Sequence, residues 1–262
     1  MDCKRIATER RSPQIQALAS EYAKFLECYE NAFDYDFNSN GERFVLETVA
    51  KRQLPCIFDV GANVGDWALL AHQTFPNATI HCFEIMKPIY ETLKEQTKSA
   101  GNIIANNFGL SDRAGEVELK YYPEFGALTS QMVDYPNPCE YVLTTGPVIC
   151  GDSYMQKHGI THVDFMKVDV EGAEDRVLHG FANAIENRMI DVIQFEYGRV
   201  NILTKFLLYD FYALFRKYGY RVGKIYPNYV DFREYSFAHE DFLGPNYLAV
   251  REDLVDALGL TD

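Results

Sequence analysis

The sequence predicts a doubly wound α/β domain with a mostly parallel sheet. Three observations point to it: short apolar runs ending in acids or glycines, helical periodicity between those runs, and a glycine turn where the first run gives way to a helix. That first run, Ile57-Phe-Asp-Val60, has the near-continuous hydrophobicity of a strand covered on both faces. It enters Gly61-Ala-Asn-Val-Gly65, where Gly61 and Gly65 permit positive φ and a close backbone approach to a ligand. The helix expected to start near Val64 offers unpaired N–H groups, which suit a carboxylate as well as a phosphate.

Ahead of this unit, Ile15, Leu18, Tyr22, Phe25, Leu26 and Tyr29 give residues 13–33 the spacing of an amphipathic helix. A second helix is expected over 41–52, with Phe44, Val45, Leu46 and Val49 as its apolar side. The chain then alternates strand 56–60, helix 64–74, strand 79–84 and a helix from Pro88 to about Ser99, with proline in its first turn. Residues 102–107 supply a third strand. Val117–Tyr122 and Tyr141–Ile149 read as extended arms of an inserted hairpin or flap. The parallel pattern resumes with strand 163–169, a helix from Gly172 to about Asn183, and strand 190–196. A helix at 204–218, a strand at 220–226, an aromatic loop and a last strand at 246–250 follow, the two strands able to pair antiparallel. No linker or repeat divides the chain. The expected organisation is an N-terminal helical cap over 1–54, one domain over 55–252 and a tail over 253–262.

The 262 residues suit one α/β domain with extensions. Lys and Arg number 25 against 38 Asp and Glu, a formal charge of −13, so nothing offsets phosphate repulsion; this argues against non-specific nucleic-acid binding, and no nucleic-acid partner is expected. The short basic stretch Lys4, Arg5, Arg10, Arg11 is interrupted by acid. Six cysteines without a C-x-x-C pair imply free thiols in a reducing compartment. Without a long apolar run or a signal-like N-terminus, the expectation is a cytoplasmic protein with no membrane association.

Asp59 decides what the glycine turn holds. A carboxylate two residues before the first glycine repels a pyrophosphate but suits a ligand with an amino group and a sulfonium. The third glycine of a dinucleotide fingerprint is also missing. Glu84 closes the next strand, placed to accept hydrogen bonds from two ribose hydroxyls. A nucleoside with a cationic tail is S-adenosylmethionine, and these residues point to it as the cofactor. The alternative is a surface loop with an N-capping Asn63 and two solvated acids.

Ligands of doubly wound sheets sit beyond the carboxyl ends of the strands, which selects Asp59, Glu84, the Asn107–Ser111 loop, Asp169 and Glu196. In Asp164-Phe-Met-Lys-Val-Asp-Val-Glu-Gly-Ala-Glu174, alternation puts Phe165, Lys167 and Asp169 on one face of a strand. A lysine in a buried strand is costly unless it meets an acid. Lys167 is then either half of an ion pair that orients the sheet, or a positioning or proton-accepting group beside a methyl acceptor that Asp169 faces. Glu171 and Glu174 flank the next helix start, where negative charge favours the dipole. The six histidines show no close ligand spacing, and His239 alone stands out as a base to test. The rings of Tyr226–Phe237 suit either stacking on a substrate or covering the sheet end.

Asp59-Val-Gly-Ala-Asn-Val-Gly65, Phe83-Glu84, Gly109-Leu-Ser-Asp112 with Gly115, Lys167-Val-Asp-Val-Glu-Gly-Ala-Glu174, a strand ending in Glu196 and a closing Asn246-Tyr-Leu-Ala-Val250 together resemble the FkbM-type class I methyltransferases. The similarity spans about residues 55–250, with Lys-x-Asp-x-Glu-Gly-x-Glu its most specific element. The resemblance implies a seven-stranded Rossmann-like fold that binds adenosylmethionine and methylates a hydroxyl of a small-molecule acceptor, a sugar or natural product. By position, Asp59, Gly61, Ala62, Asn63 and Gly65 would cradle the methionine part, Glu84 with Ile85 the ribose, and Gly109, Leu110 and Ser111 the adenine side. Lys167, Asp169 and Glu171 are the candidate catalytic residues. The sequence departs from the family pattern at Cys150-Gly-Asp152 and in the long 121–150 insertion, both expected to border the acceptor pocket.

A neutral hydroxyl needs a base or a metal to become a nucleophile. Lys167 or Asp169 could be that base, or Asp169 and Glu196 could hold a divalent metal such as Mg²⁺. The metal-free reading is preferred. The competing functions are a nicotinamide-dependent oxidoreductase, disfavoured by Asp59, and a catalytically idle adenosylmethionine-binding module whose helical N-terminus mediates association. Homo-oligomer formation is left open.

Overall fold

The computed structural model describes residues 12–122 and 140–260. Helix α1 (Pro13–Tyr29) starts at Ser12, whose hydroxyl accepts from the amide of Ile15, and carries proline in its first turn. It stops short of residue 33 because Asn31 and Phe33 take positive φ, with the Asn31 amide donating to the carbonyls of Asn40 and Ile225. Helix α2 (Glu42–Val49) follows. Strand β1 (Cys56–Val60), helix α3 (Asp66–Thr74), strand β2 (Thr79–Phe83), helix α4 (Lys87–Thr97) and strand β3 (Ile103–Asn106) then form the predicted parallel half of the sheet.

Beyond it, β4 (Gly109–Ser111), β5 (Gly115–Tyr121) and β6 (Val142–Cys150) make a separate three-stranded sheet in the order β4-β6-β5. The antiparallel β5–β6 pair is the expected hairpin; the stretch between its arms, 123–139, lies outside the described residues. Residues 109–111, expected as a loop, are a short strand paired in parallel with β6.

The main sheet resumes with helix α5 (Gly151–His158) and strand β7 (Val163–Val168), then helices α6 (Glu174–Gly180) and α7 (Ala182–Glu186), strand β8 (Ile190–Glu196), and helices α8 (Asn201–Thr204) and α9 (Leu208–Lys217). It closes with β9 (Tyr220–Tyr226), β10 (Tyr229–Phe232), a 3₁₀ turn at Phe237–His239, β11 (Asn246–Arg251) and helix α10 (Val255–Leu258). The strand order is β10-β9-β11-β8-β7-β1-β2-β3. Seven of these are the expected strands; the eighth, β10, lies inside the aromatic loop and hairpins onto β9 as an edge. The helix expected from Gly172 is divided into α6 and α7, and the one expected over 204–218 begins only at Leu208, after the short α8. The helix after β7 starts only at Glu174 because Glu171 and Gly172 have positive φ, and α8 ends at Lys205, also at positive φ.

The sheet is covered on both faces, as the apolar strands required. Phe58, Val60, Met166, Val168, Ile193 and Phe195 pack against α5, α6, α7 and α9. On the other face Ile57, Ile80, Phe165, Val192 and Leu248 meet α2, α3 and α10. That second face carries Asp59 and Lys167 upward to the strand ends, side by side in the β1–β7 register. No helix of the described residues is long and apolar enough to cross a membrane.

Gly61, at φ +85°, has no room for a side chain, but the crowding comes from the protein and not from a ligand. A Cβ there would stand 1.7 Å from the carbonyl oxygen of Asp169. Gly61→Ala should therefore destabilise the fold by about 3 kcal/mol through combined backbone strain and overlap. Thermal unfolding checks this: an unchanged Tm would mean that the β1 and β7 ends can separate freely.

Candidate active site

The carboxyl ends of β1, β2, β7 and β8 open into one cavity of about 1220 Å³. Asp59, Gly61, Ala62, Asn63, Glu84, Ile85, Gly109 and Leu110 line it, as do Lys167, Asp169, Glu171 and Glu196. Two of the expected cofactor residues stand behind the wall. Gly65 is the left-handed N-cap of α3, packed against Leu93, and the hydroxyl of Ser111 donates to Asp112 at 3.1 Å. Since Gly65 holds the N-cap position without a side-chain cap, the alternative of an N-capping Asn63 does not occur.

Asp59 is fully buried, and neither of its carboxylate oxygens has a hydrogen-bond partner. Burial pushes its pKa up; neighbouring Lys167 draws it down, Asp169 and Glu42 raise it, and it settles at about 7. An orphaned buried carboxyl is costly unless a donor or cation meets it. Glu84 is held differently. One oxygen accepts from the amide of Asn63 at 3.1 Å and the other from Met86 at 2.7 Å, which fixes its orientation at the cavity. Burial outweighs these bonds and brings its pKa to about 7. The amides of Gly61 and Ala62 both donate to the carbonyl of Phe83 at 3.0 Å, so the turn itself is internally satisfied.

Lys167 Nζ lies 2.6 Å from Asp169 Oδ2 and 6.0 Å from the centre of the Trp67 ring. Burial alone would lower its pKa, but Asp169, Glu42 and Asp59 more than offset this and hold it above its ordinary value. The pairing with Asp169 and the surrounding acids therefore favour the charged form of Lys167. The proton-accepting role weighed for it in the sequence does not fit this environment.

One ligand oxygen each from Asp169, Glu171 and Glu196 lies within 4.8 Å of the others. Burial, then repulsion from Asp169 and Glu171, raises the pKa of Glu196 well above the usual carboxylate range. This is how a carboxyl becomes suited to accepting a proton near neutrality. Glu174 takes no part: it is buried at the start of α6 and accepts from the amides of Val170 at 3.1 Å and Gly172 at 3.2 Å, bracing the turn that carries Glu171.

The opposite wall was not read from the sequence. Phe33, Tyr35, Phe37, Asn40 and Glu42, all before β1, line the same cavity with Tyr197, Arg199, Ile202, Leu203 and Phe242. Glu42 anchors the N-terminal part to the sheet, its carboxylate accepting from Gln194 at 2.7 Å, Asn40 at 2.8 Å and Asn246 at 3.3 Å. The Arg199 guanidinium lies 4.3 Å from the centre of the Phe33 ring. Aromatic and polar residues alternate in Phe33-Asp-Tyr-Asp-Phe-Asn-Ser-Asn40, a signal that can mark a binding loop as well as a helix break.

Two expected acceptor elements lie elsewhere. None of Tyr226–Phe237 lines the cavity; Tyr226 stacks on Tyr229 at 4.7 Å and the segment covers the sheet edge. His239 belongs to the 3₁₀ turn, its Nδ1 accepting from the amide of Ser236. The Cys150-Gly-Asp152 stretch also turns away from the cavity, because the Asp152 carboxylate accepts from the amides of Asn183 and Ala184 at the start of α7.

A sequence model of the methyltransferase FkbM domain matches residues 59–222, a span holding Asp59, Glu84, Lys167, Asp169, Glu171 and Glu196. The chain belongs to the FkbM methyltransferase family. It is 27% identical over 168 residues to 31-O-demethyl-FK506 methyltransferase FkbM of Streptomyces tacrolimicus, an alignment covering 52% of this chain and 63% of that relative. It is 25% identical over 197 residues to the hexuronic acid methyltransferase AglP of Haloferax volcanii, covering 72% and 76%. Among solved structures, the FkbM methyltransferase of Methylobacillus flagellatus is similar at a TM-score of 0.47 and 15% identity, over 75% of this chain and 43% of that one. The aromatic wall from Phe33 to Glu42 lies ahead of the segment that the FkbM model matches.

Proposed function

We propose that this FkbM domain binds S-adenosylmethionine between Asp59 and Glu84 and methylates a hydroxyl of a small-molecule acceptor, a sugar or natural product, without a metal. The observation that carries the reading is Asp59, a buried carboxyl with no partner that opens on the cavity. The amino and sulfonium groups of the cofactor would supply the missing positive charge, and Glu84 has lone pairs left to accept from two ribose hydroxyls. The bound cofactor supplies an electrophilic methyl group. Asp169, oriented by Lys167, and Glu196 with its raised pKa stand where an acceptor hydroxyl would lose its proton. Phe33, Tyr35, Phe37, Tyr197 and Phe242 would close the apolar side and keep water from the reacting hydroxyl. In this reading the N-terminal helical part, 1–54, contributes one wall of the acceptor pocket.

Calorimetry with adenosylmethionine, adenosylhomocysteine and NADH tests the cofactor. Binding of the first two and not the third is expected; tight NADH binding would favour the oxidoreductase reading. Incubating the protein with cell extract and labelled cofactor should yield a product heavier by one methyl group, and an idle binding module would yield none. EDTA should leave that turnover intact, because Lys167 already provides a cation beside Asp169. Activity lost with EDTA and restored by Mg²⁺ would place a divalent ion among Asp169, Glu171 and Glu196 instead.

The raised carboxyls also predict opposite pH effects on folding and binding. Asp59, Glu84 and Glu174 have pKa values of about 7 in the fold, pushed up by burial from near 4, so between those values the folded chain binds more protons than the unfolded one. Their contribution to stability is complete below about pH 4 and is lost as pH rises through about 7, so the ligand-free protein should gain Tm on going from about pH 8 to about pH 6. Affinity for the cationic cofactor should fall over the same interval as Asp59 is neutralised. A Tm that drops on this acidification would contradict the assignment of these groups as buried and raised.

A further inference from the structure

Helix α1 has no buried residue along its 17-residue length. Of its apolar side chains Ile15, Leu18, Tyr22, Phe25 and Tyr29 follow a 3-4-3-4 spacing, the a/d seam that packs helix against helix, with Leu26 half-buried beside it. Four of these side chains are turned to solvent, Leu18 at 54%, Tyr22 at 60%, Phe25 at 60% and Tyr29 at 66% exposed. A helix of this length is marginal in water unless its apolar face is covered. Among the described residues, its ties to the body are at the C-terminal end: Glu27 with Arg199 at 3.5 Å, and Glu30 with Lys224 at 3.1 Å and Tyr226 at 2.8 Å.

We infer that the seam of α1 is covered by α1 of a second copy of this chain, making a two-fold symmetric dimer. The exposed parts of Leu18, Tyr22, Phe25 and Tyr29 amount to about 450 Å² per copy, from about 200 Å² for a whole aromatic side chain. That is more than half of the roughly 800 Å² that a stable interface takes from each partner, which fits a reversible dimer. An antiparallel pairing centred between Tyr22 and Phe25 sets Leu18 of each copy against the larger Tyr29 of the other, so the seam is self-complementary, as a two-fold contact requires. The two charges in the middle of the helix, Glu21 and Lys24, bond to each other at 3.1 Å and leave the seam free of an unpaired charge. Within α1 itself Lys24 is the one basic residue, beside Glu21 and Glu27, so the helix body carries no basic face of the kind that holds an amphipathic helix on an anionic bilayer. The inference is independent of the methyltransferase reading.

Sedimentation velocity on the full chain from about 1 μM to about 200 μM tests it, a range that brackets a micromolar dissociation constant. The wild type should shift from monomer to dimer over this range. Tyr22→Ala/Phe25→Ala, which keeps helix propensity, should weaken the dimer at least tenfold, while Tm and adenosylhomocysteine affinity stay as in the wild type. Leu18→Glu should act likewise at a separate point of the seam, with circular dichroism verifying that the helix remains. A wild type that stays monomeric throughout, or variants that dimerise as the wild type does, would overturn the inference.

Discussion

Replacing Glu84 by alanine is expected to weaken adenosylmethionine and adenosylhomocysteine binding by at least tenfold, because about 1.5 kcal/mol or more is lost with two ribose hydrogen bonds to a charged acceptor. The structure makes a control necessary. Glu84 already accepts from the amides of Asn63 and Met86, so alanine leaves both donors unpaired and loosens the turn after β1. Glu84→Gln separates the effects, since one amide oxygen can still accept from the backbone while the charge is gone. Calorimetry beside thermal unfolding should show the glutamine variant above the alanine variant in Tm, because one of the two backbone bonds is kept, yet weaker than wild type in cofactor affinity. Equal affinity for all three proteins would remove Glu84 from the cofactor site and leave it a brace for the glycine turn.

The half of the cavity where this test is made was legible in the sequence, and for a physical reason. Asp59, Glu84, Asp169 and Glu196 each stand at or just past the end of an apolar strand, and a parallel sheet carries such residues to one edge whatever the loops do. Lys167 was legible as an anomaly, a charge in a strand buried at every position, although whether it was cation or base depended on how many acids surrounded it. The facing wall had no such signature. Glu42 is 152 residues from Gln194 in sequence, and no local pattern announces that the two side chains meet. The helix breaks were hidden too. Asn31, Phe33, Glu171 and Lys205 take positive φ without being glycine, so the periodicity runs through them while the backbone does not. Strand β10 was hidden by its rings, which suit stacking on a substrate as well as the sheet-end cover that they form.

Asp169→Asn should reduce kcat by about 10²- to 10⁴-fold, the usual range for losing a general base, while leaving cofactor affinity within about threefold of wild type. The substitution keeps shape and removes charge. It also takes away the partner that holds Lys167 Nζ at 2.6 Å, so some loss of stability accompanies it, and Tm must be read beside kcat. Lys167→Met removes the cation that is bonded to Asp169 and that acts on Glu196. With that charge gone Glu196 should hold its proton more tightly. The limb of the pH–rate profile that reports the base should then move to higher pH, a displacement that a purely structural lysine would not produce. The two variants therefore differ in kind: asparagine at 169 lowers kcat at every pH, whereas methionine at 167 lowers it most on the acid side and recovers part of it as pH rises. Once the methyl-bearing product has identified an acceptor, the pair can be measured on it directly. Near-normal kcat in both, with the fold intact, would make Lys167 and Asp169 a structural pair and move the base to Glu171 or Glu196, the other two carboxylates of the cluster.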